Sequence, residues 1–137
     1  MKRMILIISI LTLFLTTAKA PNDKRMAIVQ PEKIMPYEAL SKAVDIVETN
    51  CNPFAIGDKH LKQWSYGIKQ IRQVKLDWYN NRTGKNYTTK DCYSESVSNE
   101  IFMYHMMQYN DVDLAIRKWN GSGKTTFAYL KKVKKHL

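Results

Sequence analysis

The sequence predicts an all-α domain of about five helices, and three observations carry that prediction. Apolar residues recur at i, i+3, i+4, i+7 in successive stretches from Leu40 onward. Capping and stop residues stand between those stretches. The composition, 45% hydrophobic and 11% aromatic with four Pro and five Gly, excludes a disordered or collagen-like chain and supports a packed core. With 137 residues there is room for one domain.

The elements follow in order. Pro36 suits a first helical turn, and Leu40, Ala43, Val44 and Val47 form one apolar stripe behind it. Asn50-Cys51-Asn52-Pro53 stops that helix, because Pro53 disfavours helical backbone at Asn52. Ala55 to Gln63 lacks a period and reads as an irregular loop. A second helix is expected from about Ser65, with Ile68, Ile71, Val74 and Trp78 on one broad face. Asn80 to Thr89 is polar around Gly84, a loop or a minimal hairpin.

Ser94 or Ser96 is placed to cap a third helix, with Val97, Ile101, Tyr104 and Gln108 on a shared face. Phe102, Met103, Met106 and Met107 make this helix apolar nearly all round, so it is expected at the centre of the core. Asn110-Asp111 caps a fourth helix carrying Val112, Ala115, Ile116 and Trp119, which stops at Asn120-Gly121. Thr125 or Thr126 then caps a last helix with Leu130, Val133 and Leu137, and its closing lysines suit a helix C-terminus.

The N-terminus has the parts of a secretory signal. Lys2 and Arg3 precede an apolar run of 12 residues, Met4 to Leu15, and Ala18-Lys19-Ala20 offers a cleavage site. The run is shorter than the roughly 20 residues of a membrane span, although an uncleaved anchor is the alternative. Pro21 resists cleavage after Ala20, so a cut after Ala18 is the other choice. The expected organisation is a signal peptide over residues 1–20, a tether over 21–35 and one domain over 36–137. Losing residues 1–20 removes three cations and no acid, and lowers the formal charge from +10 to +7.

An exported basic chain is expected to meet an acidic envelope polymer and not nucleic acid. Export also permits a disulfide, for which Cys51 and Cys92 are the one available pair; two separate buried thiols are the alternative. Such a bridge closes a loop of 41 steps, worth roughly 4 kcal/mol in the chain-entropy account. Gly121-Ser122-Gly123-Lys124-Thr125 imitates a phosphate loop, but Lys118 stands where that motif needs its first Gly, and a helix precedes in place of a strand. No nucleotide site is expected. His60, His105 and His136 are scattered, so no metal or other cofactor is expected. The C-terminal lysines read as a solvated helix end, compatible with weak attraction to an anionic envelope.

Glu48 is the residue that points to chemistry. It lies about 40° round the helix from Val44, at the rim of the apolar stripe and near the helix C-terminus. Desolvation and the negative helix end both raise a carboxyl pKa there. A carboxylic acid kept protonated is what a glycosidic leaving oxygen requires.

The surrounding residues resemble a family. Val47-Glu48-Thr49-Asn50-Cys51-Asn52-Pro53-Phe54-Ala55 is similar to the Glu-Ser-x-x-Asn-Pro-x-Ala signature of lytic transglycosylases, in the lysozyme-like superfamily. Ser65 to Ile71 resembles the Ser-x-Gly-Leu-Met-Gln-Ile motif, and Ala115 to Gly121 resembles the Ala-x-x-Tyr-Asn-x-Gly helix end. A variant subgroup of Bacteroidetes and their phages looks closer, through Tyr66 to Arg72, Asp77 to Gly84 and Arg117 to Gly121.

The resemblance implies a lysozyme-like fold over residues 36–137 and cleavage of peptidoglycan glycan strands by a monomeric, cofactor-free enzyme. It implies Glu48 as the single acid and base, giving a 1,6-anhydro product. Thr49 keeps the hydroxyl of the motif's Ser. Ser65, Tyr66 and Gln70 are then expected along the glycan groove, with Asn120 on its far wall. Lys69 replaces the motif's Met. Trp119 replaces the Tyr whose hydroxyl touches the catalytic carboxyl, and offers an indole donor or a stacking face. Tyr129 is expected either to stack on a sugar or to pack in the core. Asp58, Asp91 and Glu95 are the loose candidates for a second carboxylate, which hydrolysis would use. A non-catalytic glycan-binding module, a hydrolytic muramidase and a basic envelope protein are the rival readings.

Overall fold

A computed structural model describes residues 31–137, with side chains from Tyr37 onward. The expected signal peptide, and the expected tether up to residue 30, lie outside the described residues. Five α-helices dominate: α1 (Pro31–Thr49), α2 (Gln73–Thr83), α3 (Glu95–Met106), α4 (Val112–Asn120) and α5 (Thr125–Lys134). Between α1 and α2 lie three two-residue strands, β1 (Ile56–Gly57), β2 (Ser65–Tyr66) and β3 (Ile71–Arg72). They form one antiparallel sheet in the order β1-β2-β3, with Ile56 opposite Tyr66 and Ser65 opposite Arg72. A short 3₁₀ turn, Asp91–Tyr93, leads into α3.

Two boundaries differ from expectation. α1 starts at Pro31, so residues 31–35 of the expected tether are helical. The helix expected from Ser65 begins only at Gln73, because residues 65–72 are the second half of the sheet. Ile68, Ile71, Val74 and Trp78 imitate a helical stripe, but Gly67 (φ 74°) and Gln70 (φ 51°) turn the chain back on itself. The Gly67 amide donates to the Ala55 carbonyl, and that of Gln70 to the Gly67 carbonyl. Val74 ends 59% exposed.

At its other end α2 runs through Thr83 and closes on Gly84, whose left-handed backbone donates to the Asn80 carbonyl. No strand forms over 80–89. The Asn80 side chain folds that segment back instead, donating to the Tyr87 carbonyl at 2.7 Å and accepting from the Tyr87 amide at 3.1 Å.

α3 is the central helix, as its composition demands, but it turns a different face inward. Ser98, Ile101, Phe102, His105 and Met106 are buried, while Gln108 is exposed. Ser98 is tolerated there because its hydroxyl donates to the Cys92 carbonyl at 2.7 Å. His105 Nε2 meets the Ala115 carbonyl at 3.0 Å among the rings of Trp78, Tyr109 and Trp119, and burial pulls its pKa down to about 4. It is therefore neutral in the folded core at pH 7.

Asp111 caps α4, accepting from the amides of Asp113 and Leu114. Thr126 does not cap α5; its hydroxyl donates to the Gly123 carbonyl and accepts from Arg117 Nε. Leu40, Ala43 and Val44 of α1 meet Ile101, Ile116, Tyr129 and Val133 in one continuous core.

The expected Cys51–Cys92 disulfide is not formed: both residues are free thiols. Cys92 is fully buried in the 3₁₀ turn with its Sγ against the Thr88 carbonyl, while Cys51 sits half-buried in the left-handed turn after α1. Burial pushes the Cys92 thiol up to about 12, which suppresses the thiolate that disulfide exchange requires.

Two features fix the sheet against the helices. A Cβ on Gly67 would lie 1.9 Å from the Cys92 carbonyl oxygen, so only glycine admits this approach. Lys69 is 0% exposed, and its Nζ reaches Asp45 Oδ1 at 2.5 Å and the Ser41 carbonyl at 3.1 Å. Its ammonium also lies 4.7 Å from the centre of the Phe102 ring. Lysine thus stands where the resembled motif has methionine, and Asp45 on α1 is its counter-charge.

Lys69→Met alone strands the buried Asp45 and is expected to cost about 3–5 kcal/mol, read by urea unfolding. Lys69→Met with Asp45→Leu is expected to restore stability to the parent level or above it. A double variant as weak as the single one would show that the pair is not the coupled unit described here.

Candidate active site

α1 delivers Glu48 one residue before its end. Asn50 and Cys51 then adopt left-handed backbone, at φ 53° and 64°, and their amides donate to the carbonyls of Ile46 and Asp45. The Thr49 hydroxyl does not face a groove. It donates to the Ile68 carbonyl at 3.0 Å and accepts from the Asn52 amide at 3.1 Å, pinning the helix end to the β2–β3 turn.

Beside that helix end opens a cleft of about 390 Å³. One wall comes from the sheet, where Ser65 Oγ donates to Gln70 Oε1 at 2.6 Å and Gln70 Nε2 donates to the Gly67 carbonyl at 3.0 Å. Asp58 and Arg72 close the sheet side through two hydrogen bonds to Asp58 Oδ2, at 2.9 and 2.7 Å. The opposite wall is the end of α4: Lys118, Trp119, Asn120 and Gly121. Glu48 and Lys75 stand between the walls.

Tyr129, 81 residues away on α5, donates its hydroxyl to Glu48 Oε1 at 2.7 Å. Burial raises the Glu48 pKa above its ordinary value, and this outweighs the opposing hydrogen bond from Tyr129 and the attraction of Lys75. Burial and the neighbouring carboxyl raise Tyr129 in turn, so it stays a hydrogen-bond donor. Lys75 donates from Nζ to the Trp119 carbonyl at 2.6 Å, with its ammonium 3.6 Å from the indole centre. Burial pulls Lys75 down to about 7 despite the pull of Glu48 in the other direction.

The cleft therefore gathers Glu48, Ser65, Gln70, Trp119 and Asn120 from the residues the sequence singled out. It does not gather Thr49, which is a brace, or Tyr66, which lines a separate depression with Trp64 and Gln73. Trp119 is 5% exposed, with its ring set edge-on to Phe102 and His105. Its indole is a core group and not a stacking face. Tyr129, 7% exposed, likewise offers no face to a sugar; it supplies the hydroxyl contact expected from position 119. Asp91 and Glu95 do not line the cleft, whereas Asp58 does.

Sequence reasoning missed Lys75, Lys118 and Arg72. Arg72 was within the resembled motif but carried no role, and no pattern in the sequence set Lys75 apart from the other lysines. Chemically the site can present a proton from a desolvated carboxyl to a ligand between two walls of amides, hydroxyls and cations.

Tyr129→Phe tests the central contact. Removing the hydroxyl takes away a bond that favours the Glu48 anion, so the Glu48 midpoint is expected to rise further, read by carboxyl ¹³C resonance against pH. Stability at neutral pH is expected to fall by about 1 kcal/mol. An unchanged or lowered midpoint would refute the assignment.

Comparison with family models, with curated proteins and with solved structures returns no match for this chain.

Proposed function

We propose that the chain is an exported enzyme that cleaves peptidoglycan glycan strands, a lysozyme-like lytic transglycosylase with Glu48 as its single acid and base. The observation that supports this most is the half-buried Glu48 carboxyl, raised in pKa and held by Tyr129 at the floor of an open cleft. Protonated Glu48 donates to the oxygen linking N-acetylmuramic acid to N-acetylglucosamine, and the bond from that oxygen to the muramoyl C1 breaks. The resulting carboxylate takes the proton of the muramoyl 6-hydroxyl, whose oxygen closes on C1. Glu48 ends protonated, and no water is consumed. The Tyr129 hydroxyl steadies the carboxylate in the interval between the two transfers. Ser65, Gln70 and Asn120 supply polar groups along the groove, and the wider cationic surface suits an acidic wall polymer.

One observation favours hydrolysis as a second reading: Asp58 lines the same cleft. Its Oδ2 is held by Arg72, which leaves a carboxylate facing Glu48 across the site and able to orient a water. The products differ by one water. Mass spectrometry of the muramoyl products released by the protein from peptidoglycan glycan is expected to show the lighter anhydro form; full-mass products would establish the hydrolytic reading instead.

Glu48→Gln keeps the shape and the acceptor for Tyr129 but cannot donate a proton. It is expected to lose roughly 10²–10⁴-fold in release of muramoyl products from glycan strands. The folded pKa of Glu48 lies above its unfolded value, so its ionisation costs stability increasingly as pH rises past the unfolded pKa. The variant is therefore expected to melt at the same or a higher temperature at pH 7, with the advantage vanishing below about pH 4. A variant that keeps its activity and loses stability would mark Glu48 as structural.

A further inference from the structure

Among the described residues Lys69 is buried and Lys75 half-buried, and they differ in a way that matters for the cleft. Lys69 has a carboxylate at 2.5 Å and a carbonyl at 3.1 Å, and the fold accounts for it. Lys75 forms no ion pair among the described residues, and its one hydrogen bond goes to the Trp119 carbonyl. An ammonium has three donors. With one on that carbonyl and the indole covering a flank, the remaining donor capacity is directed to the cleft that Lys75 lines. Lys118 lines the same cleft from α4, is exposed and is also without an ion pair among the described residues.

The charges around them do not cancel. Arg72 and Asp58 satisfy one another on the sheet wall. Glu48 on α1 is the acidic neighbour, and it is uncharged in the form that donates a proton, with Tyr129 of α5 on its Oε1. In that form the cleft carries Lys118 and, wherever its ammonium is protonated, Lys75 without a facing carboxylate on the side of α2 and α4. A partly desolvated cation without a counter-ion is a standing cost that an anionic ligand removes.

We propose that the cleft takes a glycan carrying a carboxylate next to the scissile bond, namely a muramoyl unit whose lactyl group is free of peptide, with Lys75 as its ionic partner and Lys118 as auxiliary. This rests on the glycan reading of the cleft and deepens it to a substrate class, peptide-stripped strands. A lactyl group stays within one sugar ring of the bond on which Glu48 acts. The stem converts the lactyl carboxylate to an uncharged amide, and its own carboxylates lie farther out along the peptide, from its second residue onward. The lowered pKa of Lys75 adds a signature: the anion should bind with uptake of a proton wherever the ammonium has begun to dissociate, above about pH 7.

The test uses Glu48→Gln as the parent, which prevents turnover and removes the titration of Glu48 from the pH dependence. Three glycan tetrasaccharides of alternating N-acetylglucosamine and N-acetylmuramic acid are titrated calorimetrically: with free lactyl carboxylates, with those carboxylates converted to methylamides, and with stem peptides. The free acid is expected to bind about tenfold tighter than the methylamide, a preference lost when Lys75→Met is added. Its affinity should also fall between about pH 6 and about pH 8.5 in the parent only. Lys118→Ala, an exposed change that leaves the fold alone, is expected to reduce the same preference in part. Equal affinity for acid and methylamide, or tighter binding of the peptide-bearing strand, would overturn the proposal. Glu48-dependent release of muropeptides from intact peptidoglycan, undiminished by Lys75→Met, would overturn it while leaving the glycan-cleaving reading in place. Failure of all three tetrasaccharides to bind would remove both.

Discussion

The buried pair of Lys69 and Asp45 is the contact on which the arrangement of the rest depends. It joins three elements: α1 through Asp45 and Ser41, the β2–β3 turn through Lys69 itself, and α3 through the Phe102 ring beneath the ammonium. Asp45 lies one helical turn before Glu48, and Gln70 follows Lys69 directly. The same bond that docks the turn on α1 therefore sets the separation between the candidate acid and the amide wall opposite it. Thr49 and Gly67 brace the turn from either side, one through the Ile68 carbonyl and the other by close approach to the Cys92 carbonyl. A hydrophobic residue at position 69 could fill the same volume, but it could not register the turn along α1 to a fraction of a helical turn. The ion pair is direction-specific where packing is not.

Electrostatically the cleft separates what the core combines. Lys69 is neutralised inside the fold, so it adds little field to the site. Lys75 is held by a carbonyl and an aromatic face, which orient a cation without cancelling its charge. Glu48 feels burial in one direction and Tyr129 and Lys75 in the other, and burial prevails. The result is an acid poised upward and a base poised downward in one space. Their environments push their affinities for protons towards one another, the condition in which small changes at a bound ligand move protons easily.

The helices were legible wherever burial and capping agreed. The Asp111 cap and the all-round apolarity of α3 stand in the structure as the pattern implies, and of the α4 stripe Ala115, Ile116 and Trp119 are buried while Val112 is exposed. Residues 65–72 were not legible, because Ile68 and Ile71 are three apart for a reason unconnected with a helix. A tight turn between two-residue strands happens to bring both of them to the core, and strands that short carry no alternation to read. Glu48 could be found because its position at the rim of the α1 stripe follows from α1 alone. Tyr129 could be named, but its part could not, since that depends on where α5 packs across 81 residues of chain. Lys75 stands at the start of α2, which the sheet positions, and it was hidden for the same reason the sheet was; Asp58 could be named from the sequence, but its place in the cleft could not.

The hydrogen bond between Tyr129 and Glu48 also has a temporal meaning. Glu48 leaves the ribosome 81 residues before its partner, which stands on α5. While the chain is unfolded, the carboxyl is solvated and behaves as an ordinary surface glutamate. The apolar surroundings, the opposing α4 wall and the phenol arrive together when α5, packed against α4, docks on α1. The carboxyl thus stays in an ordinary, solvated state until α5 has been made, and a copy cut short before residue 129 lacks the hydroxyl that holds it.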